Sequence, residues 1–182
     1  MKLLLAAASA AAIATVVPAT AQAQDAAAPG AYVNLGYSYI DADGGHLDAV
    51  QGRVGARLGS WFGVEGEVGL GLGSESVTVD GPTGPVTGSV KLKHELAAYA
   101  VGFAPVGTNT DLLARIGYGT QKLRVRALGV SDSDSVESFN YGIGVQHHFD
   151  GVNGVRLDWT RFDFQDGFGK SDVFSLSYSR KF

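Results

Sequence analysis

The chain has 182 residues, a length typical of a single domain. Its 14 Lys and Arg against 18 Asp and Glu give a net charge of −4 at pH 7, which excludes the strongly basic face of a nucleic-acid-binding protein. The absence of cysteine excludes disulfides, thiol nucleophiles and cysteine-based zinc sites.

The first residues have the features of an export signal. A basic start at Lys2 is followed by an apolar stretch over residues 3–17, and Ala21-Gln22-Ala23 offers a small-residue cleavage site. We therefore predict a secretory signal peptide over residues 1–23 and a flexible lead-in over residues 24–30. An uncleaved membrane anchor is the disfavoured alternative, because a helix needs about 20 apolar residues to span a bilayer.

From residue 31 onward, apolar and polar residues alternate. Val54 and Leu58 share one face of their segment, whereas Arg53 and Arg57 share the other. A period of two is typical of β-strands, whose successive side chains point to opposite faces. It predicts one all-β domain over residues 31–182, with about eight strands and no helix. The strands are expected near residues 31–40, 47–58, 62–72, 90–103, 111–126, 138–149, 154–164 and 172–182.

The connections between these strands alternate in length. Residues 59–61 and 150–154 form short connections, and residues 104–110 an intermediate one. Longer connections are predicted at residues 41–45, 73–89, 128–137 and 165–171. Alternate connections of an up-and-down antiparallel barrel share one rim, so the pattern predicts short turns at one rim and longer loops at the other, as in outer-membrane barrels.

The alternation alone fits two architectures. A soluble secreted ligand-binding barrel places the apolar face inside, and a transmembrane barrel places it against lipid. Aromatic residues near both ends of the strands favour the membrane, because aromatic rings prefer the two bilayer interfaces. The predicted aromatic girdles comprise Phe62, Phe103, Phe149 and Phe182 at one rim and Tyr39, Tyr118, Phe139 and Phe174 at the other.

The strand at residues 90–103 has an ambiguous phase. We place Ala97, Tyr99, Val101 and Phe103 on the outer face, because Phe103 then lies beside a turn with the other aromatic residues. The opposite assignment stays open.

The end of the chain resembles a known assembly signal. Phe182 is the last residue, and Tyr178 shares its face. This ending is similar to the signal that outer-membrane proteins of Gram-negative bacteria present to the barrel-assembly machinery. Together with the order and spacing of the strands, such as ARIGYG over residues 114–119, it makes the chain resemble the small OmpA, OmpX and opacity-type outer-membrane barrels.

This resemblance implies an integral outer-membrane protein with a structural or surface-interaction role, in adhesion or envelope integrity. It implies no catalytic site, cofactor or metal, and we expect a monomer whose N- and C-termini face the periplasm. Its surroundings would be outer-membrane lipid and lipopolysaccharide.

The polar face of the predicted barrel is rich in charges. An eight-stranded barrel has an interior just wide enough for side chains to fill it. We predict that arginines and carboxylates pair there across neighbouring strands, because buried charges need partners. The predicted interior network comprises Arg53, Arg57, Arg115, Arg156, Glu65, Glu67 and Asp158.

Two further features point to surface contacts. Adjacent strands would bring five cations together at the loop rim, where they could contact lipopolysaccharide phosphates. These cations are Lys91, Lys93, Lys122, Arg124 and Arg126. The segment 73–89 alternates around Gly81-Pro82-Thr83-Gly84, which predicts a two-stranded ribbon outside the membrane that is open to an extracellular protein partner.

A lipid A-modifying enzyme is the alternative function. Such an enzyme needs a histidine beside a serine and usually an acid. His46 lies in a predicted loop, on the same rim as Ser74, Glu75, Ser131, Asp132 and Ser133, but no spacing in the sequence pairs them. His147 and His148 are adjacent, so on a strand they face opposite ways and cannot share a metal.

Overall fold

The computed structural model describes residues 29–42, 45–81, 84–127, 130–165 and 169–182. The predicted signal peptide at residues 1–23 lies outside the described residues, as does most of the lead-in at 24–30. The described residues contain no helix that is both long enough and apolar enough to span a membrane.

The described chain is made almost entirely of antiparallel strands. Their bounds are β1 Gly30–Ala42, β2 Gly45–Arg57, β3 Phe62–Gly71, β4 Glu75–Gly81, β5 Gly84–Pro105, β6 Thr110–Ala127, β7 Val130–His148, β8 Asn153–Phe164 and β9 Lys170–Lys181.

These strands close into one barrel. Consecutive strands pair around the ring, β9 pairs with β1, and β3 pairs with β5. The strand β4 continues the direction of β3 and pairs with the outer half of β5. The wall therefore has eight strands, as predicted, with β3 and β4 as two parts of one position in the ring.

The two rims differ. The terminal rim carries the start of β1, the end of β9 and the connections at residues 58–61, 106–109 and 149–152. The extended rim carries the other connections. There β5, β6 and β7 run far beyond their neighbours, and with β4 they form a four-stranded extension of the wall.

Of the predicted long connections, one contains the predicted ribbon but not as an isolated pair of strands, and another is not a loop. Segment 73–89 contains the predicted ribbon, with Glu75 opposite Val90, but β6 joins it along β5. Residues 130–137 are strand rather than loop, because they pair with the outer half of β6. Pairing of β7 with β8 begins only at Ser138. Both β4 and the outer half of β7 thus leave a backbone edge unpaired within the described residues.

The apolar face points outward along the barrel wall. Val54, Val68 and Leu112 are 59%, 43% and 49% exposed, whereas Arg53 and Glu67 are buried. A soluble ligand-binding barrel would show the opposite arrangement. The prediction of an outward apolar face is confirmed.

The assignment of the strand at 90–103 is wrong. Tyr99, Val101 and Phe103 are buried in the interior, and Leu96 points outward. The reason is a register shift between Leu92 and His94, where an extra residue reverses the alternation. Phe103 therefore does not belong to the aromatic girdle.

Candidate functional site

The barrel interior contains a network of buried ion pairs that crosses from wall to wall. Arg156 on β8 pairs with Glu65 on β3, with Nη2 3.2 Å from Oε2, and its Nε lies 2.9 Å from Oδ1 of Asp158. Arg53 on β2 contacts the same Asp158, with Nη1 2.6 Å from Oδ2. These carboxylates join distant parts of the barrel wall, in addition to the predicted pairing across neighbouring strands, which is found for Arg53 and Glu67.

Glu67 connects two arginines. It pairs with Arg53 on the adjacent strand β2, and Arg115 on β6 reaches it with Nη2 at 2.9 Å from Oε2. The Arg115 guanidinium also lies 3.5 Å from the centre of the Tyr99 ring. A buried guanidinium loses its hydration. Contacts with a carboxylate and with an aromatic face offset part of that cost.

Two interior carboxylates were missed from the sequence. Asp111 is fully buried and accepts two hydrogen bonds from Arg57, at 3.0 and 3.2 Å. Glu95 is also buried and accepts a hydrogen bond from Gln121 at 3.3 Å. Asp111 shares the strand phase of Arg115, which could have revealed it. Glu95 was hidden by the wrong phase of β5.

Glycine makes room for this network at one position. Gly55 lies opposite Tyr32, and a Cβ at residue 55 would overlap the Tyr32 ring. That ring position allows the Tyr32 hydroxyl to donate to Glu65 Oε1 at 2.7 Å. A larger residue at position 55 would displace the Tyr32 hydroxyl, which is a hydrogen-bond donor to the buried Glu65 carboxylate.

A buried apolar cluster lies in the interior toward the extended rim. It draws on β1, β2, β5, β8 and β9, with Leu47, Leu123 and Phe164 packed against it. Its members are Ile40, Ala49, Leu92, Phe162 and Val173. A second buried apolar cluster, which includes Phe103 and Leu113, lies toward the terminal rim.

The outer wall carries an apolar belt with polar borders. Along β8 and β9 the outward pairs Trp159–Phe174, Leu157–Leu176 and Val155–Tyr178 lie between Arg161–Asp172 and Asn153–Arg180. With a rise of ~3.4 Å per residue and a tilt of about 40°, the eight steps from Asp172 to Arg180 cross about 20 Å. This is close to the ~25 Å apolar band of outer-membrane barrels.

A cationic patch lies beyond the belt on the extended side. Lys91 pairs in register with Arg124 and His94 with Lys122, and the bulged Lys93 lies between them. Their outward direction follows because the pair between them, Leu92 and Leu123, faces the interior cluster. We call Lys91, Lys93, Lys122 and Arg124 the cationic patch. Arg126, the fifth predicted cation, pairs through its backbone with Ser89, and its side chain lies outside the described residues.

The patch holds like charges in close proximity. The positive charge of Arg124 is the main factor that lowers the pKa of Lys93 below its ordinary value, and Lys122 adds to it. The Nε of Arg124 is buried without a hydrogen-bond partner among the described residues. None of the four patch cations forms an ion pair within the described part of the chain. An anion bound here would relieve this repulsion and raise the pKa of Lys93.

Three of the histidines have defined contacts or positions in the part of the chain that is described. His46 stacks on Tyr39, with ring centres 5.4 Å apart, and His147 Nδ1 lies 2.8 Å from the Thr110 hydroxyl. His148 faces inward, away from His147. No group of three metal-binding side chains is found among the described residues. The side chains of Glu75, Ser131 and Asp132 lie outside them.

The fold is shared with solved outer-membrane barrels. OprG of Pseudomonas aeruginosa is 11% identical with a TM-score of 0.69, and the alignment covers 87% of this chain and 99% of that one. The N-terminal barrel domain of OprF from the same organism is 12% identical, with a TM-score of 0.59 and coverage of 85% and 100%. Ail, the attachment invasion locus protein of Yersinia pestis, is 18% identical, with a TM-score of 0.58 and coverage of 85% and 100%.

These structural likenesses concern the fold alone, because the identities are low. No match was found among curated proteins. The family comparison is decisive, since the model of the outer membrane protein beta-barrel domain matches residues 5–182. The chain belongs to the outer membrane protein beta-barrel domain family and is an integral barrel of the outer membrane.

Proposed function

We propose that this barrel is a surface-interaction protein of the outer membrane that binds lipopolysaccharide phosphates through its cationic patch. The observation that carries this proposal is the position of the patch, with four cations just beyond the apolar belt. Phosphates of a membrane lipid lie at this height, and cations near an anionic surface are attracted to them. The unpartnered Nε of Arg124 is a donor suited to a phosphate oxygen.

The proposal includes an orientation. The extended rim faces the cell exterior, and the terminal rim faces the periplasm. Short turns on the periplasmic side and longer extracellular segments are the usual pattern of such barrels. The distribution of strand extensions supports this, since β4–β7 all protrude at the rim opposite the termini. Residues 1–23 are proposed as the removed export signal, with residues 24–30 as a lead-in to the domain 31–182.

The test uses charge removal within the patch. In Lys122→Gln/Arg124→Gln, each lost cation is expected to remove about 1 kcal/mol of attraction, so lipopolysaccharide affinity should fall about thirtyfold. Binding to purified lipopolysaccharide in detergent micelles would be measured by calorimetry at low and high salt. Wild-type affinity should fall at high salt, because screening weakens exposed charges.

Lys170→Gln is the matched control, because Lys170 is an exposed cation on the extended side that pairs with Asp163 at 2.8 Å. It should retain the wild-type affinity. Equal affinities of all three proteins, or equal losses in both variants, would contradict a specific role of the patch. A heparin analogue would serve as a second probe, because the structure of Ail has also been determined with sucrose octasulfate.

We further propose that side chains close the interior to solutes, and that the barrel acts as a monomer without catalytic activity or cofactor. The buried ion pairs and the apolar cluster support closure. A role as a metabolite porin is disfavoured, because porins use about 16 strands. A lipid A-modifying enzyme is the alternative, and an altered acyl pattern of lipid A in a deletion strain would favour it.

A second proposed contact uses the extension of the wall. The segment 73–89 contributes β4, which lies at an open edge of the four-stranded extension. An open edge can accept a partner strand through main-chain hydrogen bonds. An extracellular protein partner would bind there, and deletion of residues 76–88 should abolish adhesion while leaving the membrane barrel folded. Unchanged adhesion would contradict it.

Deletion of Phe182 is expected to impair assembly in the outer membrane. Phe182 and Tyr178 are both exposed on the outer wall at the terminal rim, as the resemblance to the assembly signal requires. The Phe182 backbone also donates to the Ala31 carbonyl at 2.9 Å. Heat-modifiable mobility of the protein in outer-membrane fractions would be measured. Wild-type amounts of folded protein would contradict recognition of this residue by the barrel-assembly machinery, and Leu58→Ala serves as a control, because Leu58 lies at the same rim and is as exposed as Phe182.

A further inference from the structure

The bulge in β5 turns two consecutive residues toward the outside of the barrel. Leu92 and Glu95 are buried in the interior. Between them, His94 is exposed and Lys93 is half-buried. In an uninterrupted strand successive side chains point to opposite faces, so either Lys93 or His94 would face the interior. The extra residue of the bulge removes this constraint and places an imidazole beside the cationic patch.

His94 lies among positive charges. It pairs in register with Lys122 on β6, and Lys93 precedes it on its own strand. The adjacent row of the patch contains Lys91 and Arg124. The crowding of these charges is evident at Lys93, whose pKa is lowered chiefly by the positive charge of Arg124. An anion that neutralises the patch would therefore lie beside the imidazole ring.

The other strands near His94 contribute little opposing charge. At the end of β3 and just beyond it, the outward residues are Leu70 and Leu72, which are apolar and exposed. On the far side of β6, the strand β7 contributes Ser135 in the row of His94. One row nearer the belt, β7 carries the exposed carboxylate of Glu137.

The ring of His94 is open to a ligand. Within the described part of the chain it forms neither an ion pair nor a hydrogen bond. The side chain of Glu75, at the start of β4, lies outside the described residues.

Imidazole is the side chain that ordinarily changes charge between about pH 5 and pH 8. When protonated, it donates hydrogen bonds from both ring nitrogens, and a charged donor binds a phosphate oxygen more strongly than a neutral one. A phosphate in the patch would thus favour the protonated ring. By reciprocity, a ligand that favours the protonated protein binds it more tightly as the pH falls.

We propose that His94 is a further phosphate-contacting residue of the cationic patch and makes lipopolysaccharide binding stronger in acid. This inference rests on the proposed function, because it concerns the same site. The bulge supplies the geometry, since it keeps His94 on the outer face next to Lys93. The barrel surface would hold phosphate-bearing ligands more tightly when the medium is acidified.

The test compares wild type with His94→Gln, which removes the titrating ring and keeps a polar side chain. Binding to purified lipopolysaccharide in detergent micelles would be measured by calorimetry at about pH 7.5 and about pH 5.5. Phosphate monoesters also titrate near pH 6, so the ratio of the two affinities is compared between proteins. On acidification, wild type should gain about fivefold over His94→Gln, the effect of one added cation near an anionic surface.

Two further variants make the result specific. His94→Lys is charged at both pH values, so at about pH 7.5 it should bind about fivefold more tightly than His94→Gln. Its gain on acidification should be no larger than that of His94→Gln. His46→Gln is the matched control, because His46 is also exposed but lies on β2, stacked on Tyr39. It should keep the full pH dependence of wild type.

Equal affinity ratios in wild type and His94→Gln would overturn the inference while leaving the proposed function intact. An equal loss of pH dependence in His46→Gln and His94→Gln would also overturn it. Absence of wild-type binding at both pH values would contradict the proposed function itself, and the inference with it. Calorimetry in buffers of different ionisation enthalpy counts the protons directly. At about pH 6.5, wild type should take up more protons on binding than His94→Gln, and equal uptake would contradict the role of His94.

Discussion

Replacement of Val68 by arginine is expected to destabilise the folded barrel in a lipid bilayer by about 2–4 kcal/mol. Val68 lies on the outer face of β3, between Gly52 and Leu96, and is the fourth of six outward residues from Phe62 to Leu72. An arginine near the middle of the apolar belt must bring a charge into hydrocarbon. The free energy of unfolding would be measured by urea titration of the protein refolded in lipid vesicles.

Ser175→Ala is the control for this experiment, because Ser175 is buried on the inner face. Its hydroxyl lies 3.1 Å from that of Ser38 and donates to Gln51 Oε1 at 3.5 Å, so the substitution removes two hydrogen bonds, of which the shorter contributes about 1 kcal/mol. If Ser175→Ala cost as much as Val68→Arg, the assignment of the outer face to lipid would be contradicted.

Replacement of Glu65 by alanine is expected to cost about 3–5 kcal/mol, the usual effect of removing one partner of a buried ion pair. The side chains of Glu65 and Arg156 are both fully buried. Without Glu65, Asp158 is the one carboxylate left to the Arg156 guanidinium among the described residues, and the Tyr32 hydroxyl loses its acceptor. The same urea titration in vesicles measures the effect.

Two comparisons make this result specific. Glu137 is exposed, so Glu137→Ala should change stability by no more than about 0.5 kcal/mol. The double variant Glu65→Leu/Arg156→Met should recover most of the stability lost in Glu65→Ala, because matched apolar residues replace a buried pair at little net cost. A Glu65→Ala protein as stable as Glu137→Ala would show that the pair contributes nothing.

Much of the barrel could be predicted from the sequence because one physical rule dominates its strands. A wall between lipid and a polar interior forces alternation, and β3 shows it without interruption from Phe62 to Gly71. This rule alone was enough to assign the inward and outward faces of β2, of β3 and of the part of β7 that lies within the belt. The apolar residues, which would be inside a soluble barrel, could be assigned to the outside because aromatic residues lie near the strand ends.

The errors arose where alternation was broken or carried no information. The bulge between Leu92 and His94 reverses the phase of β5, so the residues before and after it gave conflicting assignments. The outer half of β7, with the sequence VSDSDSVE, has aspartates on one face and serines on the other, so most of it shows no alternation of apolar and polar residues. Such a segment resembles a loop in sequence, and only its pairing with β6 makes it a strand.

The candidate sites were predictable to different degrees. The alternation along each strand predicts which charged side chains point inward. Their pairing partners depend on which strands face each other across the interior. Arg57 therefore bonds Asp111 on β6, a residue 54 positions away. The cationic patch depends only on the register of adjacent strands, and the expected closeness of Lys91 to Arg124 is found.

The orientation of the barrel is the claim on which both proposed surface contacts depend. Because the chain lacks cysteine, single cysteines can report on each rim without background. Ser74→Cys places one at the extended rim and Thr108→Cys places one at the terminal rim, both at exposed positions. Intact cells would be treated with a maleimide too large to cross the outer membrane. Labelling of Ser74→Cys in intact cells, and of Thr108→Cys only after lysis, is the predicted result, and labelling of Thr108→Cys alone in intact cells would contradict the account.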